Sequence, residues 1–418
     1  MTKIVTVIGL GYVGLPLTKL LSSKGYSVKG YDINSQRLEK IRSKDIIIDD
    51  TYAQGKFNSS NLDISDELKS SDIYVVCVPT PVDSNNKPNL YPIISAVNKI
   101  SEVLKDDQLI IIESTVYPGL CEEVVYPILN KTGKRFFLSH CPERINPGDK
   151  KWNVSNISRV VGGFDAESLK RTADFYRSVL NADVFEVSSI RNAEATKILE
   201  NIFRDVNLAL VNEMSQSFYR MDIDIKEVID AAATKPFSFM PHFPGVGVGG
   251  HCIAVDPYYM IEKGRAAGFD HELLRTSRKI NSNMPIYTVY LIQNVFNSLE
   301  LPLKNRNIGV YGLAYKPNVS DTRESPSFEI IKRLKELKEA KVHIYDPHVP
   351  EFSTEKSMDD FLKKSEAIII CTAHDEIVNL KSSEFKKHKV DVVIDGRNCR
   401  NKKEIVDLGI VYKGIGRN

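Results

Sequence analysis

Short apolar runs alternate with helically spaced apolar positions through the first third of the chain. Residues 4–8 read as a buried strand, residues 15–24 as a helix and residues 27–31 as a second strand. Further runs at 73–78, 109–113 and 136–140 read as strands, each ending in a polar or proline-rich loop. This rhythm predicts α/β architecture with a parallel sheet, and chemistry at the carboxyl ends of its strands. The middle is helical. A long helix is expected over about 193–219, capped by Ser188 or Ser189, then helices over 225–233, 258–267, 271–281 and 286–299.

The last third repeats features of the first. Leu68-Lys69-Ser70-Ser71-Asp72-Ile73-Tyr74-Val75-Val76-Cys77 aligns without a gap to Leu362-Lys363-Lys364-Ser365-Glu366-Ala367-Ile368-Ile369-Ile370-Cys371. Tyr31-Asp32 has a counterpart in Tyr345-Asp346, and Gly9-Leu10-Gly11-Tyr12 in Gly312-Leu313-Ala314-Tyr315. The expected fold is two Rossmann-like doubly wound domains, residues 1–187 and 303–418, joined by a central helical domain, residues 188–302, with one long helix.

Composition narrows the classes. At 418 residues the chain is too long for one core. Its 56 Lys+Arg against 54 Asp+Glu leave no basic stripe for nucleic acid. No apolar run approaches the ~18 residues of a membrane span. The N-terminus runs straight into a strand, which reads as no signal peptide. Six scattered cysteines without a CxxC predict a reducing cytoplasm and no zinc site or disulfide framework.

The first turn, Gly9-Leu10-Gly11-Tyr12-Val13-Gly14, is a GxGxxG between strand and helix. Gly9 allows the tight turn, Gly11 lets backbone N–H groups approach a pyrophosphate, and Gly14 lets the helix pack on the strand. Asp32, ending the second strand, suits ribose hydroxyls and repels a 2′-phosphate, so NAD is favoured over NADP; Arg37 lies a little over one helical turn beyond. The loops Pro79-Thr80-Pro81, Ser114-Thr115-Val116 and Cys141-Pro142-Glu143-Arg144 end later strands. In the second turn Ala314 replaces the middle glycine and Lys316-Pro317 follows. With Arg323 and Arg397, Lys316 suggests anion binding by a nucleotide other than a dinucleotide.

Two more constellations stand out. Pro244-Gly245-Val246-Gly247-Val248-Gly249-Gly250-His251-Cys252, with Asp256 just beyond, is poor core material, which marks Cys252 as a reactive thiol. His251-Cys252 lacks a second pair at metal-ligand spacing. Lys197 and Asn201, at i and i+4, share one helix face and would form an oxyanion clamp.

Together these motifs resemble the UDP-glucose/GDP-mannose dehydrogenase family, and more narrowly its UDP-N-acetylhexosamine 6-dehydrogenase branch. The resemblance rests on Gly9-Leu10-Gly11-Tyr12-Val13-Gly14-Leu15-Pro16, Val78-Pro79-Thr80-Pro81, Glu113-Ser114-Thr115-Val116, Cys141-Pro142-Glu143-Arg144, Lys197 with Asn201, Gly249-Gly250-His251-Cys252 with Asp256, and Gly312-Leu313-Ala314-Tyr315-Lys316 with Asp321-Thr322-Arg323-Glu324-Ser325. They run in the family's order through almost the whole chain. The resemblance implies NAD-dependent, four-electron oxidation of a sugar C6 alcohol to a carboxylate. It makes Cys252 the nucleophile, with Asp256 organising it. Lys197 and Asn201 stabilise the oxyanion, and Thr115 and Glu143 position water and relay protons. Gly9, Gly11, Tyr12, Val13, Gly14, Asp32, Arg37, Pro79, Thr80 and Thr115 hold NAD; Glu143, Arg144, Lys197, Asn201, Gly249, Lys316, Arg323 and Arg397 meet the sugar nucleotide. The long helix implies a homodimer or a higher homo-oligomer.

Ile253-Ala254-Val255 leans towards UDP-N-acetyl-D-mannosamine as substrate; UDP-N-acetyl-D-glucosamine, UDP-glucose and a non-catalytic dinucleotide-binding protein are the alternatives. One departure concerns the loop before the glycine-cysteine motif. Some relatives supply an arginine there to a neighbouring subunit. Here it reads Lys235-Pro236-Phe237-Ser238-Phe239-Met240-Pro241-His242-Phe243, leaving Lys235, His242 or Arg397 to complete a neighbour's site.

Overall fold

The computed structural model describes residues 3–43, 62–145, 149, 151–250, 252–336 and 340–418. The chain divides into two compact units, Met1–Asn201 with Tyr258–Asp270, and Ile202–Pro257 with His271–Asn418. The helical segment is thus shared between them.

The first unit is built on one sheet. Its strands are β1 (Ile4–Ile8), β2 (Ser27–Tyr31), β3 (Leu62–Ser65), β4 (Ile73–Val76), β5 (Gln108–Ile112), β6 (Phe136–His140), β7 (Arg159–Gly163) and β8 (Val184–Glu186), in the order β3-β2-β1-β4-β5-β6-β7-β8. All pairings are parallel except β6 with β7. The strand order reverses between β1 and β4, which opens a crevice at their carboxyl ends. Side chains alternate into two cores: Val5, Val7, Ile73 and Val75 join one, Ile8, Tyr74 and Val76 the other. That two-sided burial explains why these strands read as unbroken apolar runs. Strands β3, β7 and β8 were not legible, because their patterns are short and broken by polar residues.

The second unit carries β9 (Asn307–Tyr311), β10 (Lys341–Tyr345), β11 (Ala367–Ile370), β12 (Val392–Asp395) and β13 (Val411–Gly414), all parallel, in the order β10-β9-β11-β12-β13. The internal similarity holds in three dimensions. Gly9 and Gly312 both have positive φ, +90° and +87°. Gly9 N–H donates to Tyr31 O at 2.8 Å, as Gly312 N–H does to Tyr345 O at 2.9 Å. β4 and β11, the aligned segments, each flank the first strand of their sheet.

The long helix spans Ile190–Arg220, with Ser189 Oγ accepting from Asn192 N–H at its start. The helices expected at 271–281 and 286–299 are one, Glu272–Ser298, with Pro285 inside it. Proline removes the N–H that the Asn281 carbonyl would receive. The glycine loop covers that spot: a Cβ on Gly247 would lie 3.4 Å from both Asn281 O and Pro285 Cδ. Packing overrides the local break signal.

Candidate active site

In the first unit the expected residues outside the long helix follow the carboxyl ends of strands, with Arg37 on the helix Ser35–Ser43 that comes after β2. At the β1 turn a Cβ on Gly14 would fall 1.9 Å from Gly9 O, so only glycine lets the helix Gly14–Ser23 start there. At Gly11 a Cβ would meet nothing within 4 Å, so that flank is open for a ligand. Asp32 braces the turn from β2. Its Oδ2 accepts Leu10 N–H at 2.8 Å and its Oδ1 accepts Asn34 N–H at 2.9 Å, while the half-buried carboxylate still faces solvent. Arg37 Nε donates to Leu10 O at 2.5 Å, so acid and arginine share one turn. Tyr12 and Val13 complete it. This cradle fits a dinucleotide pyrophosphate with its ribose at Asp32.

At the β4 and β5 ends, Ser114 Oγ donates to Val78 O at 2.7 Å, tying the loop of Pro79 and buried Thr80 to the loop of half-buried Thr115. At the β6 end Glu143 is 8% exposed, and its Oε1 has no hydrogen-bond partner among the described residues. Burial pushes its carboxyl up to about 7, against the pull of Lys197 and Arg159. Lys197 and Asn201, 6% and 9% exposed, lie on the buried face of the long helix as their spacing predicts. Arg144 Nη2 pairs with Glu200 Oε1 at 2.7 Å on the next turn of that helix. His140, whose pKa burial and Lys197 push down to about 3, stays neutral beside them.

Two parts of this site escaped sequence reasoning. Glu194 is fully buried and accepts Gly119 N–H at 2.5 Å and Cys121 N–H at 2.9 Å, locking the loop after β5 to the helix one turn before Lys197. Its only signal is a carboxylate between Ala193 and Ala195. Glu113, Arg159 and Tyr176 form a second buried polar cluster, with Tyr176 Oη donating to Glu113 Oε1 at 2.5 Å.

The second unit treats the same turn differently. Asp346 Oδ2 accepts Leu313 N–H at 2.6 Å and Ala314 N–H at 2.9 Å, as Asp32 does for Leu10. Yet Asp346 is fully buried, and the His374 ring fills the outer side, 3.1 Å from Oδ2 through Nε2 and accepting Asn318 N–H through Nδ1 at 2.8 Å. The ribose position is plugged. No helix follows the turn at once; the next, Pro326–Glu336, begins after the loop bearing Lys316 and Arg323. Arg323 pairs with Asp321 at 2.6 Å, its guanidinium still half exposed. Arg397 anchors by Nε to Cys371 O at 2.6 Å, and burial pulls its pKa down against the opposing pull of Cys371, Cys399 and Asp395.

The glycine loop packs onto these elements. A Cβ on Gly245 would lie 2.6 Å from Arg397 Nη1, and one on Gly249 2.8 Å from both Glu324 O and Tyr315 Cβ. At Gly249 the missing side chain leaves room for this packing against the chain itself. Gly250 N–H donates to Arg323 O at 3.0 Å. A buried polar chain sets the loop's entry. Arg278 Nη1 pairs with Asp205 Oδ1 at 2.6 Å, Asn281 Nδ2 donates to Asp205 Oδ1 at 2.8 Å, Asn212 Nδ2 donates to Asn281 Oδ1 at 2.9 Å, and Asn212 Oδ1 accepts Gly245 N–H at 3.0 Å.

Cys252 follows, its carbonyl accepting Val255 N–H at 3.0 Å and Asp256 N–H at 2.8 Å. Buried Asp256 opens the helix Asp256–Ala266, which starts two residues before the expected 258. Cys252 is the exposed thiol. Cys121, Cys141 and Cys371 are buried, Cys77 and Cys399 half-buried, and burial pushes all five up. His251 lies outside the described residues. Among the described residues no group of three or more His, Cys, Asp or Glu could hold a metal, and no helix is long and apolar enough to cross a membrane.

Comparison with known proteins gives a concordant result. Models of the UDP-glucose/GDP-mannose dehydrogenase family match residues 3–180 (NAD binding domain), 191–283 (central domain) and 309–402 (UDP binding domain). A UDP-N-acetyl-D-mannosamine dehydrogenase of Methanococcus aeolicus is 35% identical over 99% of this chain and 95% of its own. A UDP-N-acetyl-D-glucosamine 6-dehydrogenase of Pseudomonas aeruginosa is 37% identical over 92% of this chain and 93% of its own. The solved UDP-D-ManNAc dehydrogenase of Pyrococcus horikoshii superposes with a TM-score of 0.91 at 34% identity, covering 99% of both chains. Turn, loops, cysteine and paired nucleotide folds thus converge with the comparisons: the chain belongs to the UDP-glucose/GDP-mannose dehydrogenase family and resembles its UDP-N-acetylhexosamine branch.

Proposed function

We propose that this chain oxidises the C6 alcohol of UDP-N-acetyl-D-mannosamine to the uronate in two consecutive two-electron steps. The observation that carries the chemistry is Cys252, the exposed thiol, set in the turn before the helix Asp256–Ala266, at the end where a helix dipole favours negative charge. The C6 alcohol is first oxidised to the aldehyde. The Cys252 sulfur adds to that carbon as a thiohemiacetal, a second oxidation leaves a thioester, and water releases the carboxylate. Lys197 and Asn201 stabilise the oxyanion at C6. Glu143, poised near neutrality, takes and returns the proton, with Thr115 positioning water and Asp256 orienting the thiol.

Gly9, Gly11, Tyr12, Val13 and Gly14 hold the NAD pyrophosphate, Asp32 and Arg37 the ribose, and Pro79 and Thr80 line the same end of the sheet. NAD, when bound, supplies the hydride acceptor for both oxidations. Lys316, Arg323 and Arg397 supply the cations for the UDP diphosphate, and Arg144 supports the sugar side through Glu200. The long helix is the proposed homodimer seam. Leu199, Phe203 and Leu210 leave an apolar stripe along it, and Phe237 and Met240 of the preceding-loop region are also exposed.

The manno assignment is supported by the archaeal relatives and by the Ile253-Ala254-Val255 segment. The Pseudomonas relative supports a second reading, the gluco epimer. The test is a panel of both N-acetyl epimers and UDP-glucose, with NADH counted per sugar and the uronate confirmed by mass. Two NADH per sugar, with the manno epimer preferred, are expected. Preference for the gluco epimer would select the second reading, and no NADH from any of the three would refute the dehydrogenase assignment.

A further inference from the structure

The one antiparallel pairing of the first sheet has a chemical result. Because β7 runs against β6, with His140 opposite Gly162, its first residue lies at the carboxyl end of β6. That residue is Arg159, an arginine with no solvent exposure. A fully buried guanidinium is costly unless its charge is used or compensated. Here its Nη1 donates to Pro142 O at 3.4 Å and sits 3.7 Å from Glu113 Oε1. Glu113 is held in turn by Tyr176 Oη at 2.5 Å and by Cys77 Sγ at 3.6 Å. Arg159 Nε and Nη2 have no hydrogen-bond partner among the described residues. Pro142 is the residue before Glu143.

We propose that Arg159 is a positioning residue for Glu143: it fixes the Pro142 carbonyl from within the fold, and Glu113 sets how much of its charge the Glu143 carboxyl feels. The proposal rests on the proton-relay role assigned to Glu143. The groups acting on that carboxyl come from four elements. Lys197 and Glu200 lie on the long helix, Arg159 on β7, Glu113 at the end of β5 and Cys77 at the end of β4; His140 and Cys141 precede Glu143 on its own strand and loop. Lys197 and Arg159 favour the carboxylate, while Glu113 and Glu200 oppose it. Lys197 faces the proposed substrate and Arg159 does not. The protein thus keeps one adjustable cation for chemistry and one fixed cation for tuning.

The test titrates Glu143 directly, through its protonated-carboxyl stretch in infrared difference spectra, assigned by loss of the band in Glu143→Gln. Wild type should titrate at about 7. Glu113→Gln removes an opposing charge and keeps the acceptor for Tyr176, so the midpoint should fall by about 0.5–1 pH unit. Arg159→Met should raise it by at least as much, and the double variant should return towards wild type. A merely structural pair would lower melting temperature without these opposite shifts. Unmoved midpoints, or single variants moving in the same direction, would overturn the proposal. If Arg159→Met does not fold, the fall in Glu113→Gln decides alone. The acidic limb of the NADH rate should follow the carboxyl midpoint. A limb that stays put while the midpoint moves would refute the relay role of Glu143 and leave the control by Arg159 standing.

Discussion

Replacing Glu143 by glutamine should make the first unit more resistant to unfolding at alkaline pH. Burial raises the folded-state pKa of this carboxyl from 4.5 to about 7. The native state therefore holds the proton more tightly than the unfolded chain does. Below pH 4.5 both states are protonated and the stability is whole. Through the window from 4.5 to about 7 the unfolded state ionises first, and stability is lost at about 1.4 kcal/mol per pH unit. Over about 2.5 units the loss is about 3 kcal/mol. Glutamine mimics the protonated form and carries no such loss. Between pH 5 and pH 8 the variant should gain about 2–3 kcal/mol on wild type, or about 5–10 °C in Tm for a unit of roughly 200 residues. Thermal melts of both proteins at half-unit pH steps measure this. A Tm difference that stays constant across the window would show that Glu143 is not held in a raised-pKa environment. The stabilised variant should also be slow, because a relay must lose the proton that glutamine cannot.

Further expectations follow from the same geometry. Cys252→Ala should abolish uronate formation while NAD affinity stays within a few-fold, as the dinucleotide turn lies elsewhere in the chain; uronate at the wild-type rate would refute the nucleophile. Lys197→Met should lower kcat about 10²–10³-fold, the usual cost of one oxyanion donor, and a change in KM alone would reassign it to ground-state binding. Gly245→Ala places a Cβ 2.6 Å from Arg397 Nη1 and should displace that guanidinium. KM for the sugar nucleotide should rise about 10–100-fold, the worth of one hydrogen bond to a charged group, with kcat little changed; an unaltered KM would remove Arg397 from the substrate contacts. NAD should be preferred over NADP through Asp32, and equal kcat/KM for the two would show that this carboxylate does not face the ribose.

The first glycine turn, the strand-end loops, the shared face of Lys197 and Asn201 and the exposure of Cys252 were legible because each is a contiguous motif or a fixed helical spacing. The two sheets were legible where strands bury both faces. What stayed hidden comes together only through topology. Arg159 reaches the Pro142 carbonyl, next to Glu143, because β7 is reversed, and nothing near residue 159 signals that reversal. Asp205, Asn212 and Asn281 look like ordinary polar residues of two helices until those helices pair and their amides link to Gly245. The expected break between 281 and 286 is absent, because burial of Pro285 among helix and loop neighbours outweighs the lost hydrogen bond. The plug at Asp346 was half visible: the sequence showed a second turn lacking its middle glycine, but not the distant histidine that fills it.

That plug has a kinetic consequence. With His374 bonded to Asp346 at the second turn, the first turn is the one open dinucleotide cradle among the described residues. The proposed reaction withdraws four electrons, two at a time. The half-oxidised sugar must therefore wait on the protein while that cradle is cleared and reloaded. A free aldehyde would escape, or react with bystander amines, during that pause. The covalent tether proposed at Cys252 would make the pause safe, so an aldehyde scavenger such as hydroxylamine should divert little product from the intact chain. The spent plug and the sulfur tether are two halves of one solution, in which a bookmark in the substrate replaces a second reader.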